Sequence, residues 1–337
     1  MIKMLKMRNV IIVLIAIFSF CACNRYSEPI HLTGFTQGTY YQITYFDSQN
    51  RDLQLAIDSI LADFDTTASI YISSSIISRL NRNETDVVLN EDFVDLFTYA
   101  MQVSEQTEGK FDITLAPIID AWGFGAGKER PIDSVEIDSL LSNCVGWKKL
   151  KIEHGQLLKA NPCVQMNMNA IAQGYAVDKI AKFLKELSIN HFIVDIGGEV
   201  YASGSKGNKK WKVGIEQPAK DKTSQQQIAV ALPLQDMAIV TSGNYRKYKE
   251  NNGKQYGHTI DSQTGRPAEN SILSATVMHQ QATMADAYAT AVMAMGYEKT
   301  MQFLQNHQEL DVYLIYLGND QEKTFLTNGF KKLINEE

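Results

Sequence analysis

Strand-like and helix-like patterns alternate along this chain with no regular strand–helix–strand period and no internal repeat. That irregularity points to an α+β fold in which mixed sheets pack against helices. Gly38 to Tyr45 (GTYYQITY) alternates β-formers and reads as a strand. Arg51 to Asp63 spaces Leu53, Ile57, Ile60 and Leu61 as a helix does. Glu91 to Gln106 is the clearest helix. Asn90 can cap it, Glu91 and Asp92 suit its positive end, and Phe93, Leu96, Phe97, Ala100 and Met101 form one face. Further helices are expected over 171–187, 282–295 and 297–306, and strands over 191–196, 210–217, 227–234 and 311–317. With 337 residues, 45% of them apolar, there is ample chain for a real core. A net charge of −6 argues against a nucleic-acid binder, which carries a basic face.

The first residues read as an address. Lys3, Lys6 and Arg8 precede an apolar run from Val10 to Phe20, too short to span a bilayer comfortably. The run ends at Phe20-Cys21-Ala22-Cys23, which resembles a bacterial lipobox. Residues 1–22 are therefore expected to be a lipoprotein signal peptide, Cys23 the lipidated residue, 23–31 a tether and 32–337 the folded domain. An uncleaved N-terminal anchor is the alternative. Either way the body is expected in the cell envelope, held to a membrane and facing the periplasm or the outside, with the inner membrane as the expected site. Outside the cytoplasm, Cys144 and Cys163 can oxidise, and a hairpin around His154-Gly155 would bring them near one another. Two unpaired buried thiols are the other reading.

Several segments offer chemistry without compelling it. Asp286 and Thr290 are four apart in ATMADAYATAVMAMG, so on a helix they share a face, among small alanines. A carboxylate and a hydroxyl are hard oxygen donors, suited to Mg²⁺ rather than zinc. His258 precedes the turn-rich TIDSQTGRP, where a histidine near an aspartate can act as a base. NMNAIAQGYAVD runs into a helix that Asn167 or Asn169 can cap, with first amides able to face a phosphate. Gly174 there permits close approach of a ligand or another backbone. No Walker A, GxGxxG, HExxH or GxSxG pattern is present.

Taken in order, eight segments resemble the ApbE family, the FAD:protein FMN transferases. They are GTYY at Gly38, SIYISSSIISRLN at Ser69, GKFDITLAPIIDAWGFG at Gly109, AIAQGYAVD at Ala170, VDIGGEVYASG at Val194, VTSGNYRKY at Val240, HTIDSQTGRP at His258 and ADAYAT at Ala285. The resemblance implies an ApbE-like flavin transferase fold over nearly all of the mature chain. It implies FAD as substrate, Mg²⁺ as cofactor, and transfer of FMN to a Thr or Ser of an acceptor protein with release of AMP. The implied acceptor is a subunit of a membrane redox complex.

By the same resemblance, Gln37 stands where a flavin-contacting Met is usual, and Tyr71 matches the aromatic flanking the isoalloxazine. Lys110, Phe111 and Asp112 match a dinucleotide-contacting stretch, and Ile260 a further FAD contact. Asn167 stands in place of an acidic FAD contact and Gln173 in place of Lys, a paired exchange that leaves the local charge unchanged. Ala170 (through its carbonyl), Asp286 and Thr290 match the Mg²⁺ ligands, so Asp286 is a catalytic residue as well as a ligand. The attacking hydroxyl belongs to the acceptor, so the chain needs no nucleophile, and His258 is the candidate base. An Mg²⁺-dependent FAD pyrophosphatase would use the same residues. A non-catalytic flavin-binding lipoprotein would be favoured only by the changes at Asn167 and Gln173.

Overall fold

The computed structural model describes residues 28–125, 133–218, 227–243, 248–251, 254–319 and 321–335. The expected signal peptide, Cys23 and most of the tether lie outside these residues. Among the described residues no helix is long and apolar enough to cross a membrane.

Eight strands form the central sheet. They are β1 (Ile30–Thr36), β2 (Thr39–Tyr45), β3 (Phe192–Ile196), β4 (Glu199–Ser203), β5 (Met237–Gly243), β6 (Ile272–His279), β7 (Asp311–Gly318) and β8 (Gln321–Leu326). Their spatial order is their chain order, and every neighbouring pair is antiparallel. The sheet of the expected α+β fold is thus an antiparallel meander. Each excursion, short or long, returns to the sheet at the end it left, beside the strand it came from. Two of the two-residue connections carry positive φ at both positions. Gln37 (φ 49°) and Gly38 (φ 76°) join β1 to β2, and Gly197 (φ 67°) and Gly198 (φ 106°) join β3 to β4. Positive φ in such loops matches the twist of the strands they link.

Helices α1 (Gln54–Ala68), α2 (Glu91–Gln106), α3 (Ala172–Glu186) and α4 (Ala282–Met295) cover one face of the sheet. A hairpin of Trp211–Glu216 with Ile228–Leu234, and a terminal helix Asn328–Ile334, cover the other. Side chains alternate accordingly: Ala238 and Val240 pack toward the helices, Ile239 toward Trp211 and Leu232. α1 starts three residues later and ends five residues beyond the expected span. Phe64 and Ala68 continue its buried stripe past the polar DFDTT, so packing extends the helix where composition looked like a stop.

The hairpin Leu150–Glu153 with Gln156–Lys159 turns at His154 (φ 50°) and Gly155 (φ 75°). It draws the helix Ser134–Cys144 toward the loop before α3, where Cys144 and Cys163 form a disulfide with a Cα–Cα distance of 5.1 Å.

Candidate active site

α4 is apolar almost all round because it is enclosed by β5, β6, α2 and α3. From Ala282 to Ala294, Thr290 is the one residue that is not buried. Asp286, one turn earlier, is 5% exposed. Burial raises its carboxyl to about 7, against the pull of the Gly174 amide, which donates to its Oδ2 at 3.1 Å. Gly174 permits this approach because α3 crosses the first turn of α4 there. A Cβ at that position would overlap the Ala282 carbonyl and stand 2.8 Å from the Cβ of Asp286. Close backbone packing is therefore what Gly174 serves.

The expected asparagine cap of α3 is corrected. Its N-cap is Ile171, with no side-chain cap. Asn167 instead uses its Oδ1 to accept from the Asn169 amide at 2.9 Å, closing an Asx turn. The orphan amide of Gly174 finds its acceptor on another helix, in Asp286. Ala170 lies in the turn between that Asx turn and α3. Thr290 Oγ1 lies 3.5 Å from Ser242 Oγ at the end of β5. Asp286 and Thr290 thus share one face of α4, with the Ser242 hydroxyl beside Thr290. Among the described residues there is no group of three or more His, Cys, Asp or Glu that could hold a metal ion.

Gln173, next to Gly174, extends the site to the two tight turns. A Cβ on Gly197 would stand 2.8 Å from both Gln173 Nε2 and Thr39 Cγ2. The Gly197 turn, the start of β2 and the N-terminus of α3 therefore meet at one end of the sheet. Gln37 adjoins this junction through the β1–β2 turn, and its Oε1 is buried without a hydrogen-bond partner among the described residues.

A third set lies alongside. The Asn167 amide donates to the Ile113 carbonyl at 2.8 Å, which aligns it with the stretch Lys110–Asp112. Lys110 is 5% exposed, and its ammonium is 3.0 Å from both carboxylate oxygens of Asp261. Asp112 accepts from the Thr114 amide and hydroxyl and from the Trp147 amide, while burial raises its carboxyl. Phe111 is buried in the main core and Ile260 in a small cluster with Leu115, Ile118 and Ile137, so neither ring nor branched chain is free for a ligand. His258, partly buried, precedes the two-stranded turn of Ile260–Asp261 with Arg266–Pro267, which runs beside α4. This turn is tied to the Gly109 stretch by Lys110–Asp261, by Ser262 Oγ donating to the Gly109 carbonyl (2.6 Å), and by Trp122 Nε1 donating to the Gly265 carbonyl (2.8 Å). A cleft of about 550 Å³ opens here, lined by Gly109, Asp112, Trp147 and Ser262 but not by Asp286 or Thr290. Tyr71 stands apart, 66% exposed on the turn after α1.

Lys110 is thus engaged as a tie between two segments of the site. Lys110→Met is expected to lower stability by about 1–3 kcal/mol, discounting the cost of a broken buried pair for the partial exposure of Asp261. Urea unfolding of Lys110→Met, Asp261→Asn and the double variant measures the coupling; additive losses would show that the pair contributes nothing. Sequence reading missed two supports, Asp178 and Asn81, and took Asp261 only as the aspartate near His258. Asn81 exchanges two 2.8 Å hydrogen bonds with the backbone of Met166, just ahead of Asn167. A polar residue ending the helix Ile76–Asn81 was its only signal.

With this geometry in hand, comparison with known proteins is decisive for kinship. The model of the ApbE family matches residues 37–314. An FAD:protein FMN transferase of Vibrio cholerae is 33% identical over 98% of this chain and 100% of its own length. One of Haemophilus influenzae is 32% identical over 98% of this chain and 99% of its own. The solved flavin transferase ApbE from Vibrio cholerae superposes with a TM-score of 0.81 at 32% identity, covering 91% of this chain and 99% of that one. The apo flavinyl transferase ApbE of Pseudomonas stutzeri gives 0.81 at 30%, over 92% and 98%. A shared fold over nearly the whole length, with a family model that spans residues 37–314, has one reading: the chain belongs to the ApbE family.

Proposed function

We propose that the chain transfers the FMN half of FAD to a Thr or Ser hydroxyl of an acceptor protein, forming a phosphoester and releasing AMP. The observation that supports this is the α3–α4 crossing, where the Gly174 amide meets Asp286 and Thr290 lies one turn further along the same helix. An acidic side chain buried to 5% exposure with a single amide as partner fits a cation alongside it, which would favour its ionised form. Asp286, Thr290 and the Ala170 carbonyl would hold Mg²⁺. Bound there, Mg²⁺ would offset negative charge on the pyrophosphate oxygens.

The flavin end of FAD fits Gln37, whose buried Oε1 needs a donor such as the isoalloxazine N–H. Gln173 and Asn167 supply neutral hydrogen-bonding groups, so backbone amides take more of the work of holding phosphate. Lys110, Phe111, Asp112 and Ile260 shape the wall beside the nucleotide, in part through backbone, and Tyr71 offers an exposed ring for stacking on the flavin. His258 accepts the proton of the acceptor hydroxyl as the new phosphoester forms. The charged start, apolar run and Cys23 support a lipid anchor that keeps the enzyme beside acceptors in membrane redox complexes.

Intact mass of a candidate acceptor domain, incubated with the protein, FAD and Mg²⁺, tests the reading. A gain of one FMN that disappears with chelator is expected. FAD split to FMN and AMP with no gain on any acceptor would instead favour hydrolysis. His258→Ala is expected to slow transfer on the order of a hundredfold or more with FAD affinity retained; an unchanged rate removes His258 as the base.

A further inference from the structure

The crossing of α3 and α4 is reciprocal. On α3, the amide of Gly174 donates to Asp286 of α4. On α4, the amides of Ala282 and Thr283 donate to Asp178 of α3, each at 2.9 Å, and the Thr283 hydroxyl adds a third bond at 2.5 Å. The spacing is the same on both sides. Each helix offers a first-turn amide and, four residues later, a carboxylate (Gly174 and Asp178, Ala282 and Asp286). Neither helix has a side-chain cap of its own. Each is capped by the other, and capping groups accept amides that would otherwise be orphaned.

The two carboxylates then divide the labour. Asp178 satisfies three donors and has both oxygens occupied, so it is spent on the crossing. Asp286 satisfies one amide and keeps capacity for another partner. Whatever shifts the first turn of α4 moves Asp286 and Thr290 together, because both ride on the same rigid helix. It moves them against Ala170, which belongs to the entrance of α3.

We propose that Asp178 is a positioning residue that sets the distance between the Ala170 turn and the Asp286–Thr290 pair, and so sets Mg²⁺ affinity. This rests on the reading that these residues hold Mg²⁺. Groups that orient metal ligands from behind typically change metal affinity by about 10- to 100-fold when altered. Asp178→Asn keeps one acceptor oxygen but turns an amide NH₂ toward amide donors, which pushes the first turn of α4 away.

The test titrates Mg²⁺ into the FAD-loaded full chain without acceptor, reading the melting temperature. In Asp178→Asn, half-saturating Mg²⁺ is expected to rise at least about tenfold, with FAD affinity in chelator unchanged. Thr283→Val, which loses only the hydroxyl contact, is expected to fold and to give a smaller rise. A role confined to stability would lower the melting temperature of both variants without moving the Mg²⁺ midpoint, and that result overturns the proposal. If Asp178→Asn does not fold, an unmoved midpoint in Thr283→Val overturns it alone. A wild-type chain that shows no Mg²⁺-dependent shift overturns the metal reading itself, and this inference with it.

Discussion

Asp286→Ala is expected to abolish FMN transfer, by on the order of a thousandfold or more, since loss of several kcal/mol of charge stabilisation has that effect on rate. The side chain is buried at the α3–α4 crossing, where Asp178, the carboxylate offered by α3, is already occupied by three donors. Truncation also leaves the Gly174 amide without an acceptor, at a cost of about 1–3 kcal/mol in stability. Asp286→Asn separates the two effects. Its carbonyl oxygen can still accept from Gly174, so the fold should hold near wild-type stability, while the anionic ligand is lost. Intact mass of the acceptor measures transfer and thermal unfolding measures the fold. Wild-type transfer by the Asn variant with Mg²⁺ would refute the assignment of Asp286 as a metal ligand.

Gly174→Ala is expected to destabilise the protein, although alanine is the better helix former by about 1 kcal/mol. The new methyl would overlap the Ala282 carbonyl and press on the Asp286 Cβ. These are backbone and near-backbone atoms that no rotamer change can move. The helices must separate, and overpacking of this kind costs about 1–3 kcal/mol or more. Separation lengthens both sets of reciprocal caps and draws Asp286 from the Ala170 turn, so transfer should fall with stability. Urea unfolding and the acceptor assay on the same preparation check both. A rise in stability, as for a glycine in an exposed helix, would show that the crossing is looser than the geometry indicates.

The same crossing shows what was legible in advance. α2 carries its own cap, first-turn acids and an unbroken apolar stripe, so local signals suffice for it. β6 (ILSATVMH) was invisible because both its faces are buried; with a helix on one side and a hairpin on the other, it has no alternation to read. β1 hid behind Gly34 and an outward row that mixes His31 and Thr33 with the exposed Phe35. Its glycine exists to seat the ring of Tyr41, a contact between strands that appears only once they pair. The asparagines before α3 looked like caps because caps are local in most helices, whereas here the acceptor arrives from 112 residues away.

By itself, then, the sequence determined the α+β class, the helices with strong periodicity, the order of eight motifs that mark the family, and the pairing of Asp286 with Thr290 on one helical face. These are properties of short segments, set by local spacing and residue type. Only the tertiary structure decided that the sheet is an antiparallel meander, that Lys110 is bound to Asp261 across 151 residues, that Asn81 holds Met166, and that Asp178 and Asp286 cap each other's helices. Such contacts join groups far apart in the chain, and each partner alone satisfies ordinary surface statistics. Their energy exists only when burial removes water and leaves each polar group one available partner.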